Sequence, residues 1–131
     1  MKKLKILLLL IICFSLQACP GEVEKEPDVK FNIINSSTVD IYFTVSHNNG
    51  NILIRQPEER DKILINGVKN EVTFDSFFQE GRFLTIFIYK KSTLDNNTWQ
   101  VIKDQGLYDK RYDLTLDQLK ALNYEIVYTG L

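Results

Sequence analysis

Residues 83–89 read FLTIFIY, and a strand built from them is apolar on both of its faces. A strand with one wet face alternates apolar and polar residues; one without that alternation needs cover on both sides. This segment therefore belongs at the centre of the fold, with other elements packed above and below it.

The surrounding pattern is mostly extended. Val29, Phe31 and Ile33 alternate with Lys30 and Asn32, and Val39, Ile41, Phe43 and Val45 alternate with Asp40, Tyr42, Thr44 and Ser46. Both are half-buried strands of period two. Residues 35–38 (NSST) and 47–51 (HNNGN) are turn clusters, since Asn and Gly tolerate positive φ. Residues 52–54 form a brief strand closed by Pro57. Residues 63–65 and 72–74 are extended on either side of Asn66-Gly67, a tight hairpin signal. Residues 94–97 (LDNN) read as a turn, residues 99–102 (WQVI) as the start of a strand, and residues 110–114 as one more.

One helix stands out near residues 116–122. Thr115 caps with its hydroxyl, Gln118 completes a capping box, Leu116, Leu119 and Leu122 share a face, and Asn123 marks the end. Residues 124–129 close the chain as a strand with Tyr124, Ile126 and Tyr128 on one side. Seven to nine short strands and one late helix predict a mainly β fold over residues 29–131. The expected architecture is a two-layer antiparallel β-sandwich, transthyretin-like or immunoglobulin-like, with one short C-terminal helix. A lone helix between the last strands favours the transthyretin-like type.

The N-terminal residues carry a different message. Lys2, Lys3 and Lys5 precede a run from Ile6 to Leu16, apolar apart from Ser15, whose last residue opens Leu16-Gln17-Ala18-Cys19. Positive charge stays on the cytoplasmic side while the next segment enters the bilayer, and the run is shorter than the roughly 20 residues of a spanning helix. This arrangement resembles a bacterial lipoprotein signal peptide ending in a lipobox. The resemblance implies a signal helix over residues 1–18, cleavage between Ala18 and Cys19, and a diacylglyceryl group on the Cys19 thiol. Several acyl chains at about 0.8 kcal/mol per buried methylene hold a protein stably at a membrane without spanning it.

Residues 19–28 then form an acidic tether: Pro20, Gly21 and Pro27 break structure, and Glu22, Glu24, Glu26 and Asp28 outnumber Lys25. Acids soon after a lipidated cysteine resemble the surface-export signals of Bacteroidota lipoproteins. With LQAC at 16–19 and RYDLTLDQLKALNYEIVY at 111–128, the chain as a whole is similar to the small lipoproteins of Bacteroidota envelopes. That resemblance implies a lipid-anchored protein of the cell outer membrane, facing outward, with a periplasm-facing domain as the alternative.

Removal of residues 1–18 leaves 113 of 131 residues, one domain in size. Three of the 16 Lys and Arg go with the signal, so 13 stand against 17 Asp and Glu. A net charge of −4 without a basic patch argues against a nucleic-acid partner. Cys13 lies in the signal and Cys19 is expected to be acylated, so the domain is expected to stand on its core, without disulfides.

The chemistry these residues allow is narrow. His47 is the single histidine, it sits in a turn cluster, and no thiol set accompanies it, so no metal or cofactor is expected. Asp95-Asn96-Asn97 offers oxygen donors but lacks the pattern of a calcium loop. Asp75 and Glu80 flank Phe77-Phe78, and Asp109, Asp113 and Asp117 recur every four residues; such acids would serve a small carboxylate-dependent glycoside hydrolase. Asn35 and Asn96 head glycosylation-like triplets that a bacterial context makes incidental. Trp99, Tyr108 and Tyr112 in the polar region 95–113 are the candidate ligand platform, since rings stack on sugar faces while amides and acids take hydroxyl protons. The alternative for Trp99 is core filling. The expected function is a non-catalytic binding module, lipid-anchored in the envelope, for a protein partner or a glycan. A structural subunit of an envelope assembly, joined through a sheet edge, is the alternative.

Overall fold

The computed structural model describes residues 29–47 and 55–130. The signal, the tether, Ala18, Cys19 and the strand expected at 52–54 lie outside the described residues.

Seven strands fall into two sheets. β1 (Val29–Asn35) lies between β4 (Val68–Thr73) and β7 (Glu125–Tyr128); β2 (Ile41–Ser46) and β5 (Leu84–Lys90) form the middle of the second sheet, flanked by β3 (Lys62–Ile63) and β6 (Lys110–Leu114). All pairs in the second sheet are antiparallel. In the first sheet β1 and β4 are antiparallel, but β1 and β7 run parallel. This corrects the expectation of a wholly antiparallel fold. β1 and β7 are the first and last strands, so no tight turn joins them and the whole intervening chain is the long connection that a parallel pair requires.

Between the sheets lies one core. Phe31 and Ile33 of β1 and Ile126 and Tyr128 of β7 meet Ile41 and Phe43 of β2 and Leu84, Ile86 and Ile88 of β5. The alternating residues of β1 and β2 face inward as their period predicts. Val39 lies outside its expected strand and is exposed.

β5 is buried over its first six residues, as FLTIFIY demands. Its second face, Phe87 and Tyr89, packs on Ile102, Leu94, Trp99 and Leu107. The cover comes from two helices, α1 (Lys91–Asn96) and α2 (Trp99–Gln105). The turn expected at 94–97 and the strand expected at 99–102 are both corrected here. Val101 and Ile102 favour strands by local preference, but the Thr98 hydroxyl accepts the Val101 N–H, Gly106 closes α2 at φ 62°, and packing on β5 outweighs propensity. The same cover leaves Thr44 only 2% exposed.

The third helix, α3 (Leu116–Ala121), has the capping box read from sequence, with Thr115 and Gln118 each bonding the other's backbone N–H. Leu119 is buried and Leu116 packs on the core, whereas Leu122 is exposed. The turn at Asn66-Gly67 is present, with Asn66 at φ 58° and Gly67 N–H donating to Leu64 O at 2.8 Å. It joins β3 of one sheet to β4 of the other, so it is not a hairpin. A Cβ on Gly67 would meet that same oxygen at 2.8 Å.

Two polar devices hold the rim. Asn35, fully buried, donates to the carbonyls of Val39, Ile63 and Leu64 and accepts from the Ser37 N–H and hydroxyl. Its triplet is structural, since no side-chain atom is left accessible. Arg55 grips Asp61 with two hydrogen bonds of 2.5 and 2.6 Å, and Asp61 also takes the Glu58 N–H at 2.7 Å.

Candidate functional site

The residues expected to form a platform come from three places. Trp99 opens α2, and Tyr108 follows the α2 cap. Both lie on the helix-covered face of the second sheet: Trp99 meets Tyr89 edge-on at 5.9 Å, and Tyr108 meets Phe87 at 5.2 Å. Tyr112, on β6, stands opposite Ile86 and so faces the other way, into the inter-sheet core. Its hydroxyl donates to Val127 O at 3.1 Å, linking the two sheets. Strand alternation makes this division unavoidable.

Tyr108, 39% exposed, lies in a cleft of about 260 Å³ with Thr93, Asn97, Leu107 and Asp109. Asp109 organises it. Its Oδ2 accepts the Lys90 N–H at 2.7 Å and the Thr93 hydroxyl at 2.9 Å, while Lys90 Nζ lies 3.4 Å from Oδ1. This carboxylate therefore bridges the last residue of β5 and the first turn of α1. Asn97 folds back to donate to Thr93 O at 2.9 Å. Among the described residues its side-chain oxygen takes no hydrogen bond, and Asn97 lines the cleft. Next to the cleft, Arg111 sits 5.5 Å above the Phe87 ring centroid and bonds Asp113.

Sequence reasoning named Tyr108, Asn97 and Asp109 in this region but not Thr93 or Leu107. The signal for Thr93 is its place three residues after Lys90, in the first turn of α1.

A second cleft, about 350 Å³, is lined by Asp75, Phe78, Gln79, Gly81, Arg82, Thr115, Leu116 and Asp117. Asp75 comes from the 3-10 segment Asp75–Gly81 and Asp117 from the first turn of α3. The acids at 109, 113 and 117 therefore serve separate ends: Asp109 ties Lys90 to Thr93 at the junction of β5 and α1, Asp113 takes bonds from Thr85 and Arg111, and Asp117 lines this second cleft. His47 places its ring edge-on to Phe77 at 5.0 Å, and burial lowers its pKa. Asp95 is paired with Lys91 while Asn97 turns toward Thr93, so these donors diverge. Among the described residues no group of His, Cys, Asp or Glu is arranged to hold a metal, and no helix is long and apolar enough to cross a membrane.

These features define a mainly β protein of two packed sheets with a short helical cover and a small aromatic-polar cleft at its margin. Comparison with protein-family models, with curated proteins and with solved structures gives no match.

Proposed function

We propose that this chain is a lipid-anchored protein of the bacterial outer membrane whose domain acts as a non-catalytic binding module, taking a glycan at the Tyr108 cleft. The observation that carries the binding reading is the composition of that cleft. An exposed ring stands beside a hydroxyl, an amide and a carboxylate already held in place. Rings of this kind offer an apolar face to a sugar, and a few fixed polar groups give orientation. The bonds of Asp109 to Lys90 and Thr93 favour a scaffolding role over proton transfer. Anchoring rests on the lipobox at Leu16-Gln17-Ala18-Cys19, which supplies location, with residues 19–28 supplying reach.

The fold reads as a two-layer β-sandwich, transthyretin-like rather than immunoglobulin-like, because α3 sits between the last two strands.

Two measurements test the reading. Mass spectrometry of the full chain from a lipoprotein-processing bacterium is expected to show an acylated Cys19 as the first residue. An intact residue 1–18 segment without fatty acid overturns the anchoring. Fluorescent oligosaccharides of varied composition, offered to cells displaying the full chain, are expected to bind wild type and to lose binding at least tenfold in Tyr108→Ala. Equal binding by that variant, or none by wild type, overturns the cleft assignment.

A further inference from the structure

β4 is the outermost strand of its sheet. It pairs with β1 on one side, and among the described residues no backbone hydrogen bond reaches its other edge. Natural sheets shorten, cover or charge such an edge, because its unpaired N–H and C=O groups invite another strand. Here the edge runs six residues, and its outward Val68 and Val72 are 56% and 50% exposed.

The sequence of this edge, Val68-Lys69-Asn70-Glu71-Val72, is complementary to itself when reversed. Set antiparallel on a second copy about Asn70, it places Val68 against Val72, Lys69 against Glu71, and Asn70 against Asn70. Residues directly opposite in such a pair stand with Cβ atoms about 4.5–5.5 Å apart. Slipping the register by two residues sets Lys69 against Lys69 or Glu71 against Glu71. Slipping by one turns a copy over and exchanges its faces. One register alone satisfies charge and face together.

The side chains are already disposed for it. On the outer face Val68 stands opposite Ile34, and Ile34 opposite Val127, an apolar row that the copy's Val72 would extend. On the other face, Glu71 makes no hydrogen bond or close ion pair within the described residues; burial raises its pKa and outweighs the more distant charges of Lys69 and Arg55 in its own chain. Lys69 donates to Arg60 O at 2.9 Å and, with three donors, can serve an acid as well.

We propose that two copies of this chain pair through β4, antiparallel about Asn70, into one continuous sheet ordered β7-β1-β4-β4-β1-β7. The contact is isologous: each copy gives Lys69 to the other's Glu71. It depends neither on the lipid anchor nor on the Tyr108 cleft.

Full-length chain carrying Asn70→Cys, in the membranes of the cells that make it, provides the test. A disulfide needs Cα atoms within about 4.4–6.8 Å, a condition the two copies of residue 70 meet only at the two-fold axis. Mild oxidation is expected to give a linked dimer on non-reducing gels. Asn32→Cys, across from Asn70 on the interior strand β1 and sharing both native cysteines, is expected to stay monomeric. Adding Lys69→Glu or Glu71→Lys to the Asn70→Cys chain should cut linkage at least tenfold, and the Lys69→Glu/Glu71→Lys exchange should restore it. Absence of the residue-70 dimer, equal linkage through residue 32, linkage of residue 70 to a different protein, or failure of the double exchange to recover linkage each overturns the proposal.

Discussion

Trp99 and Tyr89 meet edge to face, with ring centroids 5.9 Å apart and planes at 68°. Tyr89 is fully buried on β5, and Trp99 begins the helix that covers it. The contact fastens the helical layer to the sheet and gives FLTIFIY its second dry face. The first expectation is that Trp99→Ala destabilises the domain by about 2 kcal/mol, less than a fully buried aromatic because Trp99 is half-buried. Tyr108→Ala, at the margin, should cost under about 1 kcal/mol while lowering the proposed glycan binding at least tenfold. Urea unfolding of both variants measures the difference.

Asn35 is the second test. Five hydrogen bonds converge on a side chain with no exposure. Removing it takes a donor from Ile63 O and the acceptor from the Ser37 N–H and hydroxyl, while Val39 O keeps the Ser37 hydroxyl and Leu64 O keeps the Gly67 N–H; each buried group left unpaired costs about 1–3 kcal/mol. Asn35→Ala is expected to lose at least about 3 kcal/mol and to release the Asn66-Gly67 turn, to which Asn35 N–H also bonds through Gly67 O. A midpoint within experimental error of wild type would contradict this role.

Asp61 governs the acid limb of stability. Burial pushes its pKa up, but the Arg55 hydrogen bonds, the Glu58 N–H and nearby positive charge outweigh this and hold it below its ordinary 3.8. A depressed folded pKa gives stability that is present above the unfolded value and disappears as pH falls through the folded one. The stability difference between wild type and Asp61→Asn should therefore be constant from pH 7 to about 5 and shrink below about pH 4. Unfolding midpoints across that range supply the check.

At the alkaline end the relevant group is Tyr89, whose pKa burial pushes up to about 12. A raised folded pKa on an acid gives stability that is complete below the unfolded value near 10 and is lost as pH climbs toward the folded one. Tyr89→Phe should flatten the stability profile between pH 10 and 12. At pH 7 it should change stability by less than about 1 kcal/mol, because the Tyr89 and Thr44 hydroxyls are buried without a well-formed hydrogen bond to lose.

Much of the fold is legible in local pattern. Period-two alternation marks β1 and β2, the doubly apolar run marks β5, and the capping box of Thr115 and Gln118 marks α3. Each signal works because neighbours in sequence decide it: which face is dry, or which N–H lacks a partner. Residues 91–105 carry no such signal. Asp95, Asn96 and Asn97 suit turns, and Trp99, Val101 and Ile102 suit strands, yet all lie in or beside two helices.

The sequence by itself determined that β5 needs cover on both faces, that the core carries no described thiol, and that the Cys19 segment has the form of an acylation signal. Tertiary structure alone decided what supplies the second cover, that β7 runs parallel to β1, and that Tyr112 turns away from Trp99 and Tyr108. Those outcomes depend on which distant residues share a face, and that is set by strand register and crossover, which no short window of residues encodes.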